Sequence, residues 1–171
     1  NYGDVIDPGY SQSYLSLGIS GGEPVWTNNE YDALFAFIHQ MYRTGNGRYW
    51  KDIKRMAEHA MNVDFLDFHD DPWLHHGSPV HSASHVTSSS YPSHIWTEGL
   101  LHYYYCSHDP RALKTAVLSG EFILKYLNER WWVFTATARE GGWALAALSE
   151  LYRATGDPRF LDGAGKIRDA Y

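Results

Sequence analysis

The sequence predicts an all-α protein: three αα-hairpins behind an irregular N-terminal lead-in. Three observations carry that prediction. Apolar residues recur with helical period in paired segments, and short breaks at Thr44-Gly45-Asn46-Gly47, Ser107-His108-Asp109-Pro110 and Gly156-Asp157-Pro158 divide the pairs. The last two breaks repeat almost letter for letter: Asp109 and Asp157 stand 48 residues apart, and Pro and Arg follow each. A period of this kind marks an array of like units.

Residues 1–27 carry Gly3, Pro8, Gly9, Gly18, Gly21, Gly22 and Pro24, which break any helix and leave at most a short strand near Tyr14 to Ile19. A helix is expected from Asn28 or Asn29, either of which can cap it, with Glu30 and Asp32 complementing its dipole and Leu34, Phe35, Ile38, Met41 and Tyr42 forming its apolar stripe. Arg48 to Met61 completes the first hairpin. Ser93 to Cys106 with Arg111 to Leu127 forms the second, and Gly142 to Thr155 with Arg159 to Tyr171 the third. Asp109 and Asp157 each cap the helix that follows, with Pro at its first position. Cys106, the one cysteine, lies in an aromatic helical run and is expected in the core.

Residues 28–171 therefore read as one repeat domain. Its short turns fall at one end of the array, so the linkers between hairpins and the starts of the first helices meet at the other. Asn28, Asn29, Glu30 and Asp32, then His94 and Glu98, then Arg139 and Glu140 are the polar groups expected there. Loops held by such a scaffold are where function concentrates.

The chain of 171 residues has a formal charge of −6 and no basic stripe, which argues against a nucleic-acid partner. Its apolar runs are too short for a membrane span. No glycine-rich phosphate loop, serine-nucleophile motif or dinucleotide fingerprint is present. Aromatic residues make up 16% of the chain, more than packing requires, and aromatic rings lining a cleft stack on sugar faces. The chain starts without Met and stops inside a helical pattern, so a piece of a longer protein is expected.

The stretch from His59 to His102 holds eight of the ten histidines, and no Lys or Arg lies between Arg55 and Arg111. A cation working there is expected to be a protonated histidine or a metal. Asp64, Asp67 and His69 form a candidate divalent metal site, for calcium or zinc, with His59, Asp70 and Asp71 nearby in sequence and His81 and His85 adding imidazoles. A metal-free histidine network is the competing reading. His94, Glu98 and His102, at four-residue spacing, are expected on one helical face, opposite Trp96, Gly99, Leu100 and Tyr103. Functional weight falls on His94 and Glu98 rather than His102. The surplus of polar groups at Asn28, Asn29, Glu30 and Asp32 suggests sugar contacts. Arg139, beside Glu140, is the basic residue available to grip an anionic substrate.

Trp26-Thr-Asn-Asn-Glu-Tyr-Asp32, Tyr42-Arg-Thr-Gly45, His59 with Asn62-Val-Asp64 and His69, His81 and His85, and Ser93-His94-Ile-Trp96-Thr-Glu98-Gly-Leu100 occur in this order. Over roughly residues 1–125 the succession resembles the exo-rhamnogalacturonan lyase and YetA-like group of helical-toroid proteins. The resemblance implies part of an (α/α)n toroid, which three hairpins do not close, and further domains in a longer chain. It also implies a secreted or surface enzyme that cleaves a uronate-containing polysaccharide by β-elimination. His108 departs from the repeated turn, which normally has Gly there, and the third hairpin is too generic to assign.

Elimination needs a base, an acid for the leaving oxygen and a partner for the carboxylate. On this reading His81 or His85 is the base, His94 acts as or orients the acid, and Glu98 fixes a histidine tautomer. Trp96 lies among the substrate-binding groups. Arg139, or a metal on Asp64, Asp67 and His69, neutralises the uronate. The alternatives are a glycoside hydrolase on the same toroid, pairing Glu30 or Asp32 with Glu98 or Glu140, and a non-catalytic helical-repeat module that binds a glycan or peptide.

Overall fold

A computed structural model describes residues 5–7, 25–27, 31–79 and 89–171. The protein is all-α, as expected. Besides the helices, Val5–Asp7 (β1) and Val25–Thr27 (β2) pair antiparallel, with Ile6 opposite Trp26, in a two-stranded ribbon within the lead-in. The strand expected near Tyr14 to Ile19 lies outside the described residues.

The first hairpin consists of α1 (Ala33–Thr44) and α2 (Trp50–His59), joined through a 3-10 turn at Gly47–Tyr49. A π turn at Ala60–Asp64 extends α2. The second pairs α3 (Glu98–Ser107) with α4 (Pro110–Glu129). A short helix, α5 (Trp132–Ala136), leads to the third, α6 (Ala138–Thr155) with α7 (Pro158–Arg168). The first helices are neighbours in order, α1 against α3 and α3 against α6, while α4 packs on α7 and on the turn after α2.

The repeated turns behave as their letters predict. Asp109 and Asp157 are extended N-caps whose carboxylates accept from the backbone N–H of Arg111 and Arg159, at 3.0 and 2.9 Å. Each Arg also reaches the second helix of the hairpin before it: Arg111 forms a forked pair with Glu58 of α2 at 2.6 and 3.1 Å, and Arg159 meets Glu121 of α4 at 3.3 Å. The repeat therefore encodes both a cap and a stitch between units. His108 adopts the left-handed conformation (φ 59°) that Gly156 (φ 70°) takes in the equivalent place, a conformation that disfavours a residue with a Cβ by about 1–2 kcal/mol.

Leu34, Ile38, Ile53, Leu100, Ile123, Leu148, Leu151 and Phe160 form a continuous buried core. Each such side chain contributes roughly 1.5–3 kcal/mol when removed from water. Cys106 is only half-buried, contrary to expectation, with its Sγ 3.0 Å from the Tyr42 hydroxyl.

Three helix starts differ from the sequence reading. Tyr31 and Asp32 are both left-handed (φ 58° and 54°), so α1 cannot begin at Asn28 or Asn29 and starts after Asp32, which caps it. A 3-10 turn at Pro92–His94 precedes α3, which begins at Glu98 rather than Ser93. Helix α6 runs straight through Gly141-Gly142 from Ala138. Gly141 lies under the Tyr171 ring, where a Cβ would overlap it, so tertiary packing outweighs the poor helix propensity of the pair.

Candidate functional site

The starts of α1, α3 and α6 meet. Asp32, buried at the head of α1, accepts from the Phe35 N–H through Oδ1 at 2.9 Å and from the Gly99 N–H of α3 through Oδ2 at 2.8 Å. Gly99 is required by this approach: a Cβ there would overlap Asp32 Oδ1 and stand 2.8 Å from the Phe35 nitrogen. The turn before α3 is tied to α6 by Glu140, which accepts from the Ser93 backbone N–H at 3.0 Å and from its hydroxyl at 2.7 Å. Two of the three sequence-distant clusters are thereby joined to the middle one.

These contacts open a cleft of about 760 Å³ among α1, α3 and α6. Glu98 and Asp32 line it near the helix starts. Burial pushes the Asp32 carboxyl up to about 6, although its two backbone hydrogen bonds hold it down in part. Burial is also the main cause that raises Glu98 to about 7, and the charge of Asp32 adds to it. A carboxylic acid poised there can both give and take a proton near neutrality.

Aromatic rings wall the same end. Trp96, 1% exposed, meets Tyr31 and Trp143 with ring centres 6.0 Å away in each case. Among the described residues, neither its indole N–H nor the buried Thr97 hydroxyl has a hydrogen-bond partner, and a buried unmet polar group costs about 1–3 kcal/mol. At the other end Phe35, His39, His102 and Tyr105 gather, with the two imidazoles 5.1 Å apart and Phe35 4.0 Å from His39. Burial lowers the His102 pKa, and His39 lowers it further. Glu150 and Arg153 of α6 close this end as an ion pair at 2.8 Å.

Behind the aromatic wall runs a hydrogen-bonded chain. Arg139 approaches His94 Nε2 at 3.2 Å, His94 Nδ1 lies 2.9 Å from the Ser93 hydroxyl, and that hydroxyl donates to Glu140. A guanidinium only donates, so His94 Nε2 accepts, and Nδ1–H then donates to Ser93 Oγ. The chain fixes one neutral tautomer of His94. The Arg139 guanidinium also lies 5.8 Å from the centre of the Tyr31 ring.

The structure thus brings Asp32, Trp96 and Glu98 to the cleft and sets His94, Arg139 and Glu140 beside its wall. His94 and Glu98 do not share a helical face, because His94 belongs to the preceding turn; Glu98 and His102 do, and His102 lines the cleft where His94 does not. Asn28, Asn29, Glu30, His81 and His85 lie outside the described residues. Trp143, Glu150 and Arg153 were missed. Their signal was a helical stripe, Trp143-Ala146-Glu150-Arg153, in a hairpin whose letters otherwise look generic.

Asp64, Asp67 and His69 do not come together as a donor set, and among the described residues no three His, Cys, Asp or Glu side chains do so. Asp64 is buried against His59 at 3.4 Å, Asp67 pairs with Lys114 at 2.8 Å, and His69 Nδ1 accepts from the Asp71 N–H at 2.9 Å. Chain segment 65–79 lies instead along α4, which supplies the cations its own sequence lacks. Lys125 donates to the Pro72 carbonyl at 2.7 Å and Arg130 stacks 3.4 Å from the Trp73 ring centre. The expectation that only histidine or a metal could act as a cation there fails because α4 packs against it.

Among the described residues no helix is long and apolar enough to cross a membrane. No protein-family model, curated protein or solved structure matches the chain, so the geometry of this cleft is what speaks for its function.

Proposed function

We propose that the protein is a carbohydrate-active enzyme that cleaves a uronate-containing glycan by β-elimination in this cleft, with Glu98 as its acid–base group. The observation that carries the reading is a carboxyl raised to about 7, set between aromatic walls in a cleft of sugar-binding size. Ionised Glu98 takes the proton beside the uronate carboxylate. The electron pair left there drives out the glycosidic oxygen at the neighbouring carbon, which takes up a proton and leaves an unsaturated sugar. Arg139, exposed beside Tyr31 and outside the cleft lining, is the cation that would reach over the rim to support the uronate carboxylate as charge builds on it. Tyr31 and Trp143, backed by the buried Trp96, offer the faces on which sugar rings stack. A polysaccharide substrate of this kind also fits the secreted or surface setting that the sequence resemblance implies.

Hydrolysis by paired carboxylates is the second reading, favoured by the presence of Asp32 and Glu98 in one cleft. Both Asp32 oxygens, however, accept backbone N–H groups that hold α1 to α3. That work makes Asp32 a positioning and charge-tuning group, whereas Glu98 bonds within its own helix start, to the Thr97 N–H at 3.2 Å, so a single carboxylate not tied between helices favours elimination.

Incubation with polygalacturonate and with rhamnogalacturonan separates the readings. Ultraviolet absorbance of an unsaturated uronate is the expected result. New reducing ends without that absorbance would replace elimination by hydrolysis, and saturable binding without cleavage would leave a glycan-binding module.

A further inference from the structure

The end of the cleft away from Asp32 gathers hydrogen-bond donor groups from three separate helices: His39 from α1, His102 from α3 and Arg153 from α6. Their convergence does not follow from the acid–base chemistry, because Glu98 lies one helical turn before His102 and Arg153 lies ten residues beyond Trp143. At 1.5 Å per residue, Trp143 and Arg153 are about 15 Å apart along α6, roughly the length of three linked sugar rings. His102 and Tyr105 are about 6–10 Å beyond Glu98 along α3, or roughly one to two rings.

We propose that His39, His102 and Arg153 form a second anion subsite, which holds the carboxylate of an acidic sugar one to two units from the ring attacked at Glu98. The inference rests on the glycan reading and deepens it: the ligand carries carboxylates at more than one unit, and the cleft measures their separation. Arg153 presents a planar fork suited to a carboxylate, and Glu150 holds it through one Nη at 2.8 Å, which leaves its other N–H groups for the ligand. His39 and His102 supply ring N–H groups from the facing helices. The other titratable groups here do not add an unpaired negative charge that would repel a carboxylate. Tyr42 of α1 is pushed up to about 12 and Tyr105 of α3 is also raised, both by burial, so these phenols stay neutral, and Glu150 is already paired.

Burial favours the uncharged form of His102, so an incoming carboxylate draws a proton onto it and binds more tightly as pH falls. Glu98 also loses charge over the same range, and variants separate the two sources.

The test is calorimetric titration of trigalacturonate and its methyl ester at about pH 5.5 and about pH 8. The acid is expected to bind about tenfold more tightly at the lower pH, with a smaller change for the ester. His102→Gln should flatten the slope of the acid. Arg153→Gln, at an exposed side chain that cannot upset the core, should weaken the acid about tenfold and spare the ester. An acid slope as steep in His102→Gln as in the wild type, or acid binding untouched by Arg153→Gln, overturns the subsite even if the glycan is cleaved. Failure of both trisaccharides to bind at either pH overturns the glycan reading as well.

Discussion

Glu98 begins α3 with its carboxyl buried and the charge of Asp32 nearby, and both causes favour its neutral form. The folded pKa is raised from 4.5 to about 7. Stability from this group is therefore complete below the unfolded value and is lost as pH rises through about 7. Asp32, raised from 3.8 to about 6, acts in the same direction over a lower window. Glu98→Gln should consequently stabilise the protein at about pH 8 by on the order of 1–3 kcal/mol, raising its thermal midpoint there, and leave the midpoint nearly unchanged at about pH 4. Differential scanning calorimetry at the two pH values checks this; a variant less stable at the higher pH contradicts the buried-carboxylate account. Asp32→Asn removes the charge that raises Glu98, so the alkaline rise of any pH–rate profile should move to lower pH. The same change leaves one backbone donor poorly met and should cost about 1–3 kcal/mol in denaturant unfolding.

At the scale of elements, Gly99 is where α1 and α3 touch through the Asp32 carboxylate. Gly99→Ala should destabilise the protein by more than about 2 kcal/mol and reduce glycan binding, because Asp32 or the α1 backbone must move to admit the Cβ. Equilibrium unfolding together with titration of a glycan reads both effects. Asp157→Ala removes the N-cap of α7, outside the cleft lining, and should lower stability without changing glycan affinity.

The same contrast explains what the letters revealed. Asp109-Pro-Arg and Asp157-Pro-Arg were legible because a cap, a fixed proline φ and a short turn are local chemistry. The start of α1 was not, because Asp32 is placed by a bond to Gly99, 67 residues away. His94 was misassigned to α3 for a related reason: its four-residue spacing to Glu98 is compatible with a helix, but Ser93 is held to Glu140 in a turn. The run through Gly141-Gly142 depends on Tyr171, which no window around the glycines contains.

For the whole molecule, successive hairpins set their first helices side by side, and the cleft is a property of that arrangement rather than of any one unit. Sequence order correctly indicated that Asp32, Glu98 and Glu140 would meet at one end. It misjudged the histidine-rich linker, whose described part lies on α4 because Trp73 finds Tyr126 and Arg130 there. The absence of Lys and Arg from a stretch says nothing of the cations a neighbouring helix supplies.

The role of Glu98 in this cleft is tested most directly by the rate of unsaturated-uronate formation against pH for the wild type and Glu98→Gln. The account predicts a wild-type rate that rises through about pH 7 as Glu98 ionises, and a variant at least about 100-fold slower that still binds the glycan. A Glu98→Gln protein that releases the unsaturated product at the wild-type rate would contradict it.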